Sequence, residues 1–147
     1  MLGKAKTKVN NIDTLISSKV ELKGDLYFSG GVQVEGRVIG NIIAEEGAAA
    51  VLRITENGYV EGEIRVPKVV INGRVNGNVY SNDHVELAAK ARVTGNVYYN
   101  LIEMVMGAEV NGNLMHSGGQ VAEIENDTSV QEDDTDLDVN YSAVKTG

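Results

Sequence analysis

One seven-residue phrase, small-x-apolar-x-Gly-x-apolar, occurs five times in this chain, at 36–42, 58–64, 73–79, 91–97 and 108–114. A repeat constrains architecture before any single residue is interpreted, because each unit must bury its apolar face against the next. The second glycines of successive copies (Gly40, Gly62, Gly77, Gly95, Gly112) lie 22, 15, 18 and 17 residues apart. That period is too short for a helical hairpin and fits one coil of a β-solenoid.

A second strand precedes each phrase, at Val32-x-Val34, Leu52-x-Ile54, Val69-x-Ile71, Val85-x-Leu87 and Ile102-x-Met104. Through Val69, Ile71, Gly73, Val75, Gly77 and Val79 the inward candidates keep a period of two without a change of phase, so one side of the chain faces inward throughout. A degenerate earlier copy runs from Val20 to Leu26, and six coils are predicted in all, with an atypical first one. Stacked coils place equivalent residues about 4.8 Å apart, which lets the column Val38, Val60, Val75, Val93, Val110 be uniformly aliphatic. The column of second glycines marks corners, where a side chain would clash or the backbone needs positive φ. Asn41, Asn78, Asn96 and Asn113 follow those glycines and also tolerate the left-handed region. Pro67, the sole proline, falls between two copies, where a missing ladder donor does least harm.

Two rival architectures fit less well. Reading Asn72-Gly73, Asn76-Gly77 and Asn111-Gly112 as hairpin turns of an antiparallel barrel leaves no room for strands between the first two pairs. A left-handed hexapeptide helix matches the six-residue steps Val79, Val85, Ala91, Val97, but that spacing breaks between the earlier copies.

The net charge of −8 is divided into three materials. Residues 1–10 carry Lys4, Lys6 and Lys8 (+3), residues 11–119 carry nine basic and thirteen acidic groups (−4), and residues 120–147 carry one against eight (−7). The expected organisation is a flexible cationic leader over 1–11, a single β-helix domain over 12–117 with one narrow apolar interior, and a disordered acidic tail over 118–147. With no cysteine, disulfides and thiolate metal sites are excluded. No apolar run is long enough for a membrane span, and no hydrophobic segment follows the N-terminal lysines as in a signal peptide, so a cytoplasmic protein is expected. The acidic core argues against nucleic acid as a partner.

Catalytic signals are weak. His84 and His116 are the only histidines, and neither has a carboxylate and a serine nearby in a recognisable pattern. His116 shares its phase with Phe28, Ala44, Val66, Ser81 and Tyr99, which makes it a packing or capping residue of the terminal coil. Two histidines fall short of the three that a solenoid carbonic anhydrase places on zinc, and the compact turns lack the inserted loops of a hexapeptide acyltransferase. The segment 36–40 has neither the Lys-Ser/Thr nor the following helix of a phosphate loop, so no nucleotide site is indicated. The Asp-rich tail lacks the Gly and Glu of a calcium loop. Glu45 and Glu46, beside the insertion Ala48-Ala49-Ala50, read as a solvated surface loop. No catalytic residue, cofactor or metal is therefore expected, and the protein is read as a non-enzyme.

The repeated core, the leader beginning Met1-Leu2, the phrase Thr14-Leu15-Ile16 entering the first coil and the charged tail together resemble the bactofilins, a bacterial polymer-forming cytoskeletal family. The most specific matches are Leu22-Lys-Gly24-Asp-Leu26-Tyr-Phe28-Ser-Gly-Gly-Val32-Gln-Val34-Glu-Gly36-Arg-Val38-Ile-Gly40-Asn-Ile42, Val75-Asn-Gly77-Asn-Val79 and Val93-Thr-Gly95-Asn-Val97, and the likeness runs from Met1 to about His116. The resemblance implies an all-β fold, a single-stranded right-handed parallel β-helix of about six coils that polymerises without nucleotide, binds the inner face of the cytoplasmic membrane and scaffolds peptidoglycan-modifying enzymes or their membrane adaptors in cell-shape control. Many members carry Pro-rich tails, whereas this tail is acidic and has no proline.

Self-assembly also follows from the pattern itself. A solenoid satisfies its backbone along its sides but leaves strand edges and a cross-section of apolar core at each end. At the first coil Leu22, Leu26 and Phe28 form one candidate polymerisation surface, and at the last coil Met104, Met106, Val110, Leu114 and Met115 form the other. In the leader, Met1 and Leu2 with Lys4, Lys6 and Lys8 form a candidate membrane anchor, three lysines near an anionic leaflet contributing on the order of 1 kcal/mol each. The competing functional classes are a monomeric β-helix that binds carbohydrate or peptide on an outward aromatic ladder, for which Tyr80, Tyr98 and Tyr99 come closest, and a hexapeptide-type acyltransferase relative.

Overall fold

A computed structural model of the chain describes residues 12–117; the leader and the tail singled out in the sequence lie outside the described residues. Within 12–117 all regular structure is strand, eighteen short segments arranged in three parallel six-stranded sheets. The first sheet is β1 (Thr14–Ile16), β4 (Gly31–Val34), β7 (Val51–Ile54), β10 (Lys68–Ile71), β13 (His84–Leu87) and β16 (Leu101–Met104). The second is β2 (Glu21–Lys23), β5 (Arg37–Ile39), β8 (Tyr59–Glu61), β11 (Arg74–Asn76), β14 (Arg92–Thr94) and β17 (Glu109–Asn111). The third is β3 (Leu26–Phe28), β6 (Ile42–Ala44), β9 (Ile64–Arg65), β12 (Val79–Tyr80), β15 (Val97–Tyr99) and β18 (Leu114–His116). Each coil contributes one strand to each sheet, so the chain is a parallel β-solenoid of six coils. Where the sequence showed two strands per repeat, the fold has three, because the second glycine breaks the seven-residue phrase into two faces. The six-residue steps of Val79, Val85, Ala91 and Val97 are progress around one coil, from the third sheet through the first sheet and the corner before β14 back to the third.

The interior is built from columns in strict register. Val38, Val60, Val75 and Val93 are buried in successive coils of the second sheet, and Ile42, Ile64, Val79 and Val97 are buried in the third. β-branched side chains suit this arrangement, since each packs on its own kind one coil away. The corner between the second and third sheets always has two residues, from Gly24-Asp25 to Gly112-Asn113, whereas the other corners vary. Two extra residues at the first corner account for most of the spread in coil length, and the insertion between β6 and β7 accounts for the longest coil. There Glu45 and Glu46 are exposed as expected, but Ala50 is buried in the core.

The constant corner has two causes. At Gly77 φ is +151°, and a Cβ built there would stand 2.1 Å from the carbonyl oxygen of Gly62 in the coil below. Both the backbone conformation and the close approach therefore require glycine. The neighbouring asparagines serve a different end from the left-handed tolerance inferred from sequence. In three of the four the side-chain oxygen accepts an N–H from the next coil: Asn78 Oδ1 from Asn96 at 2.9 Å, Asn96 Oδ1 from Asn113 at 3.0 Å and Asn41 Oδ1 from Glu63 at 2.8 Å. The corner is thus stitched by side chains where the sheet ladders pause.

Gly77→Ala is expected to destabilise the fold by about 3 kcal/mol or more, because relieving the overlap means separating two coils. Gly47, with φ +82° and nothing within 4 Å of its added Cβ, provides the comparison; Gly47→Ala should cost only about 1 kcal/mol of backbone strain. Urea unfolding followed by circular dichroism separates the two, and equal losses would show that coil spacing does not select glycine at this corner.

Candidate functional site

The interior columns end abruptly at both extremities. In the fifth coil Leu87 and Val97 are 0% exposed; one coil further, in the same columns, Met104 is 45% and Leu114 42% exposed. Their strands β16 and β18 are paired on one side only, whereas β13 and β15 are paired on both. Val110 and Ile102 complete this cross-section from β17 and β16, each half-buried against the core. At the opposite end Leu22, Leu26 and Phe28 pack on the core from β2 and β3 and remain half-exposed, with Ile16 beside them. Ile16 and Ile102 were not among the end residues read from sequence, although each occupies a strand position whose inward phase was legible.

Not every residue assigned to an end lies on it. Met106 sits in the turn between β16 and β17 and is 93% exposed, off the interior columns. Met115 points outward on the third sheet, in register with Tyr98. Met1, Leu2, Lys4, Lys6 and Lys8 lie outside the described residues. At each end, three strands pair on one side only, β1, β2 and β3 at one and β16, β17 and β18 at the other. Each extremity therefore combines apolar side chains with unpaired backbone edges, a combination suited to taking on another strand layer.

The other chemical candidates resolve into structural roles. His116 packs on Tyr99 in a tilted ring contact, with centroids 5.6 Å apart, as a packing residue of the last coil. His84 does acquire a carboxylate that sequence adjacency did not reveal: its Nε2 stands 3.5 Å from Glu103 Oε1, without hydrogen-bond geometry. Ser81 is buried nearby, but its hydroxyl donates to the Pro67 carbonyl at 2.6 Å and is committed to the turn. Among the described residues no group of three or more His, Cys, Asp or Glu is placed to hold a metal ion, and no helix is long and apolar enough to cross a membrane. The outward aromatic ladder shrinks to Tyr80 and Tyr98, stacked at 4.8 Å, with Arg65 4.1 Å over the Tyr80 ring. Tyr99 instead packs against the core.

A repetitive apolar prism whose distinctive surfaces are its two ends belongs to the structural class of β-solenoids. Comparison with known proteins narrows the class. The family model described as "Bactofilin: Polymer-forming cytoskeletal" matches residues 14–115. The chain is 32% identical to bactofilin BacO of Myxococcus xanthus (strain DK1622) over 102 residues, which cover 69% of this chain and 78% of that protein. It is 26% identical to bactofilin BacP of the same organism over 106 residues, 71% of this chain but only 42% of BacP. No solved structure matches. The chain belongs to the bactofilin family, a family of polymer-forming cytoskeletal proteins.

The exposure difference between coils five and six has a measurable counterpart in the isolated subunit. At concentrations too low for association, Leu87→Ala should cost about 3 kcal/mol of stability and Leu114→Ala about 1 kcal/mol or less, since the latter is already half solvated. Comparable losses in denaturant titrations would mean that Leu114 is covered in the single chain.

Proposed function

We propose that this chain is a structural cytoskeletal protein that assembles end to end into filaments without nucleotide and serves as a membrane-associated scaffold for cell-shape or cell-wall machinery. The observation that carries the assembly step is the half-exposure of Met104 and Leu114 in columns that are sealed through the interior coils. Covering them with another copy continues those columns at the same coil spacing. Fully burying a Leu, Ile or Met side chain contributes about 1.5 to 3 kcal/mol, and half of that is still available from each terminal residue. With Val110 and Ile102 in the same cross-section, and three edge strands gaining partners, the sum reaches the range that offsets the entropy of association. The family's description as polymer-forming supports the same reading.

Membrane attachment is assigned to the leader. Three lysines and two apolar residues give a single copy only transient binding, and a polymer displaying many leaders converts it into stable attachment by avidity. The partners on this reading are further copies of the chain, the inner face of the cytoplasmic membrane, and peptidoglycan-modifying enzymes or their membrane adaptors carried on the polymer.

Leu114→Arg should leave the circular dichroism spectrum intact and abolish sedimentable filaments, while Met106→Lys, in the turn outside the interior columns, should leave them unchanged. Electron microscopy of both variants without added nucleotide checks this; normal filaments from Leu114→Arg would refute stacking through the coil ends. Deleting residues 1–8 should free the filaments from anionic liposomes without disassembling them. A truncated protein that still floats with vesicles would place the anchor elsewhere.

A further inference from the structure

The phrase that defines the repeat has a variable second position, and the fold aligns its copies on the outer surface of the second sheet. Reading from coil two to coil five, that column is Arg37, Tyr59, Arg74, Arg92. Glu21 and Glu109 close it at the first and last coils. In a chain of net charge −8, three arginines in one file are a local reversal of sign. Arg92 is partly engaged, with Nε 3.5 Å from Glu109 and Nη1 donating to the carbonyls of Ala91 and Gly107. Arg37 lies over the Tyr59 ring at 4.8 Å, and neither Arg37 nor Arg74 has an ion-pair partner among the described residues. A groove runs along the file, one part of about 490 Å³ reaching from Arg37 to Arg74 and the next of about 230 Å³ from Tyr59 to Arg92. Two acids stand in its wall, Glu35 accepting from the Gln33 amide at 2.7 Å and Glu56 3.5 Å from Lys90, against the three guanidinium groups of the file.

We propose that this groove docks an extended acidic segment of a second copy of the chain, Glu132-x-Asp134-x-Asp136-x-Asp138. The lengths of the two partners match. From Arg37 to Arg92 the file climbs three coil steps, about 14 Å at ~4.8 Å per step. In an extended chain alternate side chains point the same way and are about 6.6 Å apart, so three successive carboxylates of this segment span about 13 Å. Guanidinium forks pair with carboxylates through short charge-assisted hydrogen bonds, and a file of them fixes both position and direction of an extended ligand. An anionic bilayer is the poorer occupant, because a plane laid on this face would also cover Glu21 and Glu109 at the two ends of the file, whereas one extended segment can contact the arginines between them. The docking is independent of how the solenoid ends behave.

The test uses the full chain with Glu132→Gln, Asp134→Asn, Asp136→Asn and Asp138→Asn, so that no copy's own segment competes. A labelled peptide of residues 129–141 is titrated onto it by fluorescence anisotropy. The peptide should bind, more weakly as salt rises, and adding Arg37→Glu with Arg74→Glu should weaken binding by at least about tenfold. Arg37→Lys with Arg74→Lys should retain most of the binding, and both pairs should show the parent's circular dichroism and melting. Absence of peptide binding, equal binding by the charge-reversed protein, or equal binding of a peptide carrying the same four neutralising substitutions would each overturn the proposal. So would a charge-reversed protein that keeps the peptide and loses only its co-sedimentation with phosphatidylglycerol vesicles, which would make the file a lipid-facing surface.

Discussion

The structure depends on how closely one coil can lie on the next. Parallel strands hydrogen-bonded between coils set a spacing of about 4.8 Å, and at the corner between the second and third sheets that spacing brings the carbonyl oxygen of one coil to the place where the next would carry a Cβ. Glycine at Gly40, Gly62, Gly77, Gly95 and Gly112 is the only solution that keeps the ladders on both sides of the corner unbroken. Once the corner is fixed at two residues, the faces before and after it stay in register, and the valine and isoleucine columns follow. The other corners lack this constraint and vary in length. The backbone at the constant corner is further secured by the asparagine amides, so this edge of the prism has a hydrogen-bonded side-chain ladder of its own.

A core of this kind has no natural end. A globular core is closed when its last side chain is covered, but a solenoid core is continuous along its axis, and every terminal coil presents half of a contact that its interior neighbours have completed. Met104 and Leu114 show this directly: they lie in the columns of Leu87 and Val97 but belong to the last coil, and they are half-exposed where those are sealed. Membership of a polymer-forming cytoskeletal family is in keeping with such ends.

The outer surface obeys different rules from the interior. Inward positions are tied to each other through packing and vary little, whereas outward positions are tied only to their neighbours in the same file. Files of distinct character can therefore sit side by side on one scaffold: the stacked Tyr80 and Tyr98 beneath Arg65 on the third sheet, and the arginine file on the second. Stacking at coil spacing suits planar groups, and arginine lies against tyrosine in both places.

The chain's order of residues was enough to establish the solenoid, the number of coils, the inward phase and the glycine corner, because period-two alternation and a recurring phrase are local properties that stacking turns directly into columns. The apolar character of Leu22, Leu26, Phe28, Val110 and Leu114 was legible for the same reason. What required the tertiary structure was everything that depends on neighbours far apart in sequence. The third face, the removal of Met106 and Met115 from the terminal cross-section, the meeting of His84 with Glu103, the role of the corner asparagines and the alignment of Arg37, Arg74 and Arg92 all arise between coils. Coil lengths vary with the loops, so no fixed sequence interval announces which outward residues will be neighbours. Only the register of the ladders decides that.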